Sequence, residues 1–169
     1  MNIRSATPDD IPVIQKLVHT IWPIAYSNII SAEQITYMLD LIYSETALQK
    51  QFADGHRFII ADENESPVGF ASYSVKNPAD RAHYRLHKLY VLPDLHRKGT
   101  GKMLLNYIIH TIKSEGATSI ELNVNRDNKA IDFYKYFGFD VTKSEDIDIG
   151  RGYFMNDFVM VKEIESSEL

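Results

Sequence analysis

The 169-residue chain has no cysteine, so neither a disulfide framework nor a thiolate zinc site can contribute to it, and a reducing compartment suits it. Long apolar runs are missing as well. No stretch approaches the roughly 18 apolar residues that a membrane helix needs, and the opening "MNIRSATPDD" holds no apolar signal core. Positive charge is in deficit, with 18 Lys and Arg against 23 Asp and Glu for a net charge of −5. Such a balance repels nucleic acid over long range and weakly attracts cations. These absences predict a cytoplasmic protein with neither membrane nor nucleic-acid partner. Repeats and low-complexity segments are lacking too. What remains, 44% hydrophobic and 24% charged residues, is the composition of a globular chain of a length that suits one core. The expectation is one domain over residues 1–165 and a loose tail over 166–169.

Local signals give an order of elements. "NIRSAT" reads as an edge or first strand, and "TPDDIPVIQKLVHTIW" as a helix with Thr7 as N-cap, Pro8 at the first helical position and acids in the first turn. Ser31 stands three residues before Gln34, a capping-box spacing that opens a helical stretch expected to break near Tyr43 and Ser44. "HRFIIAD" and "PVGFASYSV", separated by "ENES", have the pattern of a hairpin, and "YRLHKLYVL" is a further strand ended by Pro93. From Gly101, Leu104, Leu105, Ile108, Ile109 and Ile112 recur at helical spacing until Gly116. "TSIELNV" reads as a strand, "DNKAIDFYKYF" as a helix closed by Gly138, and "FDVTKSE" and "YFMNDFVMVKEI" as closing strands joined by a turn in "DIDIGRG". An antiparallel meander followed by a β-α-β crossover predicts a mixed sheet and an α/β (α+β mixed) class.

The stretch "LYVLPDLHRKGTGKMLL" concentrates chemistry. A strand, a short loop holding Gly99 and Gly101, and an immediate helix leave main-chain N–H groups at the helix start without intrahelical partners. That arrangement suits a phosphate, because glycine lets the ligand approach the backbone and the helix dipole favours an anion. Arg97, Lys98 and Lys102 add positive charge. Taken alone, such a turn also serves as plain loop geometry. Two familiar phosphate loops are excluded by spacing. A P-loop would place glycine where His96 stands and Ser or Thr where Met103 stands, and a dinucleotide fingerprint would place a small residue at Leu104.

The stretch resembles the acetyl-CoA pyrophosphate loop of the GNAT superfamily of N-acetyltransferases, in which a Gln or Arg precedes the glycines. His96 occupies the Gln/Arg place, a departure that changes one side chain and leaves the glycine amides in position. A second motif follows: "LNVNRDNKAIDFYKYFGF" is similar to the family's Asn, Ala, Phe-Tyr, Gly-Phe segment at Asn128, Ala130, Phe133, Tyr134, Gly138 and Phe139. The resemblance spans essentially the whole chain. It implies a GNAT-like three-layer α-β-α domain on a mixed, centrally splayed sheet of six to seven strands, with acetyl-CoA as co-substrate and no metal.

It also implies roles for particular residues. The main chain of Leu89 and Val91 would supply hydrogen bonds to the pantetheine arm, the backbone of His96, Arg97, Lys98, Gly99, Thr100 and Gly101 would wrap the pyrophosphate with Lys102 adding charge, and Asn128 would steady the arm. Tyr134 matches the family's general acid for the departing thiolate; an ordinary half-buried helix tyrosine is the competing account. An amide near Leu89 or Tyr90 would face the carbonyl oxygen. The base is open: family members often carry a Glu on the strand before the loop, but "HYRLHKLYV" has no acid. By alternation His83, Arg85 and His87 share a face with Leu89 and Val91, which makes His87 the leading base and His83 the reserve, with a satisfied sheet histidine as the alternative.

The acceptor side is rich in aromatics. Trp22, Tyr26, Tyr37 and Tyr43 are candidates for an amine pocket by cation–π contact, closed by Tyr153 with Asp157, although helix-spaced aromatics also build cores. Together with the negative net charge they point to a primary amine on a small cationic molecule as acceptor. The alternatives are a protein or peptide N-acetyltransferase and a non-catalytic acyl-CoA-binding module. The exposed closing strands leave a homodimer open.

Overall fold

A computed structural model describes residues 1–165 and their side chains apart from that of Arg97; the tail expected over 166–169 and the Arg97 side chain lie outside the described residues. The strands are β1 (Asn2–Ser5), β2 (Arg57–Glu63), β3 (Ser66–Asn77), β4 (Asp80–Val91), β5 (Ser119–Asn125), β6 (Asp140–Gly150) and β7 (Tyr153–Glu163). The helices are α1 (Ile11–Tyr26), α2 (Ala32–Tyr43), α3 (Glu45–Ala53), α4 (Thr100–Ser114) and α5 (Ala130–Tyr136). All seven strands belong to one sheet, in the order β1-β2-β3-β4-β5-β7-β6. β4 and β5 run parallel while β1–β2, β2–β3, β5–β7 and β6–β7 are antiparallel, so the sheet is mixed as expected. A parallel pair needs a crossover, and the segment holding α4 supplies it. The β4–β5 ladder is short, from His83↔Ser119 to Leu86↔Leu122, although β4 continues to Val91 and β5 to Asn125. Among the described residues no helix is long and apolar enough to cross a membrane.

Contacts divide the chain into two compact units, Met1–Ser74 with Lys88–Ile108, and Val75–His87 with Ile109 onward. In the first unit Thr7 caps as expected: its hydroxyl accepts from Asp9 N–H, and the Asp10 carboxylate accepts from Thr7 N–H at 2.9 Å. Residues Pro8–Asp10 form a 3₁₀ turn, so the α-helix begins only at Ile11. Its buried residues Ile11, Ile14, Leu17, Val18, Ile21 and Trp22 keep the spacing of one helix face. The α2–α3 break falls where expected. Ser44 is extended and its hydroxyl accepts from Ala47 N–H, while the side-chain amides of Gln51 and Gln15 donate to the Ile42 and Tyr43 carbonyls at 2.8 and 3.0 Å. The β2–β3 hairpin turns on Asn64 and Glu65, both at positive φ (50° and 67°), the handedness that two-residue hairpin turns require.

In the second unit two expectations need correction. The helix expected over 127–137 is confined to Ala130–Tyr136, because side-chain oxygens bend the preceding backbone: Asn125 Oδ1 accepts from Asp127 N–H and Asn128 Oδ1 from Ala130 N–H, each at 2.9 Å. The "DIDIGRG" turn shrinks to Arg151 and Gly152, at φ 55° and 80°, since Ile147 and Ile149 alternate with exposed Asp146 and Asp148 and so continue β6 to Gly150. Core residues here are Ile112, Ile120, Leu122, Phe139 and Met160, all nearly inaccessible.

One buried residue of the first unit is out of keeping with its surroundings. Lys88 is 7% exposed; its ammonium donates to Gln51 Oε1 at 2.8 Å and lies 5.3 Å from the Tyr43 ring centroid and 5.7 Å from that of Phe58. Among the described residues no carboxylate pairs with it, and burial lowers it from 10.5 to about 8. That depression corresponds to roughly 3 kcal/mol against the charged form. Below pH 8 both folded and unfolded chains carry the proton and the full penalty persists; between pH 8 and 10.5 the unfolded chain binds more protons, so stability rises with pH. Lys88→Met should therefore raise stability by roughly 1–3 kcal/mol at neutral pH and flatten that rise, as read from urea unfolding on both sides of the window. An unchanged alkaline slope in the variant would locate the penalty elsewhere.

Candidate active site

The first unit holds the glycine loop and the end of β4. Gly69 in β3 lies so close to β4 that a Cβ there would sit 2.9 Å from the Tyr90 carbonyl oxygen, and Leu92 N–H donates to Val68 O at 2.9 Å. Tyr90 and Leu92 therefore turn their main-chain groups toward β3, and by the pleat Leu89 and Val91 turn theirs to the opposite edge. Of these, the Val91 carbonyl is engaged: the His96 ring nitrogen Nε2 lies 2.9 Å from it. Tyr90 contributes its ring instead, packed 5.8 Å from Trp22 and 5.9 Å from Phe70.

Beyond β4 the chain forms a 3₁₀ turn, Pro93–Lys98, and then Gly99 at φ 79° and ψ 14°, the left-handed region that a side chain resists. Helix α4 starts at once, and Met103 N–H to Gly99 O, at 3.0 Å, closes its first turn. The amides of Thr100, Gly101 and Lys102 precede that bond and have no partner within the helix. Thr100 is fully buried, and among the described residues its Oγ1 has no hydrogen-bond partner. A buried orphan hydroxyl costs about 1–3 kcal/mol, so an oxygen-rich ligand at this turn has something to satisfy. An open left-handed glycine, helix-start amides without intrahelical partners and an orphan hydroxyl fit a diphosphate. Lys98 and Lys102 are exposed, and Lys98 lies 3.8 Å from Glu63 Oε1, so part of its charge is already answered.

The aromatic candidates separate. Trp22 and Tyr43 are core residues, 3% and 1% exposed, and so do not form a solvent-facing wall. Burial drives the Tyr43 phenol well above its ordinary value; the Tyr26 hydroxyl adds to this and the Trp22 N–H opposes it, although the indole nitrogen is too poorly placed to count as hydrogen-bonded. Tyr26 is half-buried, with its hydroxyl 3.0 Å from that of Tyr90. Tyr37 is half-buried on α2, and Tyr153 is half-buried at the start of β7 in the second unit.

The second unit carries the histidines. His83, the reserve base, is engaged by Ser119 Oγ and by Asp80, 3.3 Å away, which makes it a sheet histidine. His87 is half-buried. Between them Arg85 donates to Glu121 at 3.1 Å and to Asn123 Oδ1 at 2.6 Å, and Asn123 Nδ2 donates onward to Glu145 at 3.1 Å and Asp157 at 3.3 Å. Asp157 is 3% exposed. Burial raises its carboxyl above the ordinary value, while the Asn123 amide and the Arg85 and Arg126 guanidiniums pull it down. Glu145 is held below its ordinary value by Lys143 and Asn123. Sequence reasoning missed this polar ladder except for Asp157; the only signal was the alternation of Glu121, Asn123 and Asn125 in "SIELNVN".

On α5, Tyr134 is 8% exposed, its ring 5.4 Å from Phe133 and 5.6 Å from Phe139. Its carbonyl accepts from Phe137 and Phe139 N–H, at 3.1 and 3.0 Å, which fixes the residue at the helix end. The Asn128 side-chain oxygen accepts from Ala130 N–H in the turn that leads into α5.

Residues 18–139 match the model of the acetyltransferase (GNAT) family, about seven-tenths of the chain and both motifs. The chain belongs to that family. It is an N-acetyltransferase by that membership, and its GNAT relatives carry that activity in their names. A spermidine N(1)-acetyltransferase from Thermoplasma acidophilum is 28% identical over 172 residues, covering 98% of this chain and 99% of that protein. The peptidyl-lysine N-acetyltransferase YjaB from Escherichia coli is 29% identical over 131 residues, 76% of each chain. Among solved structures, the PaiA N-acetyltransferase from Thermoplasma acidophilum in complex with coenzyme A superposes with a TM-score of 0.81 at 26% identity, covering 96% of this GNAT chain and 98% of that one. The family match stops at Phe139, so β6 and β7, with Glu145, Tyr153 and Asp157, lie outside it.

Proposed function

We propose that residues 1–165 act as one N-acetyltransferase domain that moves an acetyl group from acetyl-CoA to a primary amine of a small cationic molecule by direct attack on the thioester. The observation that carries the coenzyme assignment is the left-handed Gly99 leading into α4 with Thr100 Oγ1 orphaned beside it; the coenzyme A complex of the PaiA relative supports it. Acetyl-CoA supplies the activated acyl carbon. The amides from His96 to Lys102 hold its diphosphate, and the Leu89 main chain meets the pantetheine arm. With the Tyr90 main chain turned to β3, Leu89 N–H is the donor for the carbonyl oxygen. His87 accepts the proton released by the amine. Tyr134 gives its hydroxyl proton to the leaving sulfur.

The net charge of −5 favours a cationic acceptor, and the spermidine-acetylating relative matches along the full chain. Half-buried Tyr26, Tyr37 and Tyr153 are the aromatic contacts proposed for it. Peptidyl-lysine acetylation is the second reading, favoured by the YjaB relative. Thiol release from acetyl-CoA, measured over polyamines, amino sugars and lysine peptides, separates the two. The proposal expects the highest kcat/KM with a polyamine or amino sugar; a lysine peptide that outperforms them would establish the second reading. The proposed setting is the cytoplasm, as a monomer or homodimer.

A further inference from the structure

His96 stands where the family pattern has Gln or Arg, and its ring does not extend toward solvent alone. The Nε2 atom lies 2.9 Å from the Val91 carbonyl oxygen, five residues back at the end of β4. A carbonyl only accepts, so Nε2 carries the proton and the ring holds that tautomer. The bond spans the 3₁₀ turn that precedes Gly99, a type of turn with poor internal hydrogen bonds. Leu95 N–H to Leu92 O, at 2.9 Å, and the burial of Leu95 at 8% exposure anchor the same turn. Leu92 is in turn tied to Val68 on β3. The path from the sheet to the helix-start amides is thus pinned at successive points, with the imidazole a side-chain strut beside the Lys98–Glu63 ion pair.

We propose that His96 is a positioning residue that latches the phosphate loop to β4 through Val91 before the coenzyme binds, and so sets affinity for the diphosphate without taking part in acyl transfer. The inference rests on the acetyl-CoA reading above. A rigid five-membered ring loses less rotamer freedom in this bond than the longer glutamine would, so the loop is ordered in advance and binding need not supply that ordering.

The test uses the full chain as wild type, His96→Ala and His96→Gln, with coenzyme A and with S-acetylpantetheine, which lacks the diphosphate. Loss of one hydrogen bond of about 0.5–1.5 kcal/mol predicts a Kd for coenzyme A roughly 2- to 10-fold higher in His96→Ala. The KM for acetyl-CoA should rise in step, while the Kd for S-acetylpantetheine holds at its wild-type value. His96→Gln, whose amide can donate to the same carbonyl, should recover most of the affinity. Independently, imidazole ¹⁵N NMR of the wild type should show His96 with its proton on Nε2. Equal coenzyme A affinity in His96→Ala, an equal loss for both ligands, or a proton on Nδ1 would each overturn the latch. A wild-type chain that turns over S-acetylpantetheine but ignores coenzyme A, or that binds neither, overturns the acetyl-CoA reading and the latch together.

Discussion

Gly99→Glu should lower coenzyme A affinity by at least about 100-fold while leaving the fold intact. Two physical terms act together. Gly99 sits at φ 79°, where a side chain costs about 1–2 kcal/mol. The new carboxylate then stands beside the diphosphate, and like charges some 5 Å apart at an effective dielectric near 20 repel by about 3 kcal/mol each. Nothing lies within 4 Å of a Cβ built at this position, so the side chain itself meets no steric obstacle. Gly99→Ala carries only the backbone strain, which the free and bound chains share, so it should lower stability by about 1–2 kcal/mol and coenzyme A affinity far less than the glutamate does. Isothermal titration with coenzyme A, with thermal unfolding as the control, measures both. If the glutamate variant bound as the wild type does, the diphosphate would have to lie away from this turn, and the acetyl-CoA assignment would lose its main support.

Tyr134→Phe should reduce kcat by roughly 10²- to 10⁴-fold, the usual contribution of a positioned proton donor, with little change in KM for acetyl-CoA. The substitution removes one oxygen and keeps the ring. The packing against Phe133 and Phe139 and the main-chain bonds to the Tyr134 carbonyl therefore survive, and so should stability. A fall in kcat with KM preserved is the signature of an interaction made mainly in the transition state, which a merely structural tyrosine would not give. Steady-state kinetics with the best acceptor, supported by a single-turnover measurement, reads it directly. Wild-type turnover in the phenylalanine variant would return Tyr134 to the helix packing.

Much of the architecture is legible without coordinates because it depends on local causes. Thr7, Ser31 and Ser44 cap because a hydroxyl in that place can reach the amides that follow, and the glycine loop is recognisable because positive φ and close approach both demand glycine. Local rules also account for the misreadings. The start of the α5 segment looked helical by composition, yet Asn125 and Asn128 take the amides for themselves. "DIDIG" looked like a turn by its acids and glycine, yet its alternation is that of an edge strand.

The site was read less completely than the fold, since its members are chosen by what they meet. Trp22 and Tyr43 have the spacing of a pocket wall and of a core face alike, and only packing sends them inward. His83 and His87 share a strand face, but Ser119 and Asp80 claim the first. The Arg85–Asn123–Asp157 ladder joins residues far apart in sequence, and no spacing rule connects them. His96 looked like a missing glutamine until its ring was found on the Val91 carbonyl.

By itself, then, the amino-acid order settled the family, the sequence of elements and the place of the glycine loop, because each follows from contacts within a few residues or from a fixed motif. Tertiary structure alone decided which aromatics are buried, which histidine is already committed, that Lys88 is buried without a carboxylate partner among the described residues, and that the His96 ring meets the Val91 carbonyl. Those outcomes depend on burial and on partners distant in the chain, and the free energy of a charge or a hydrogen bond has no definite value until its surroundings are in place.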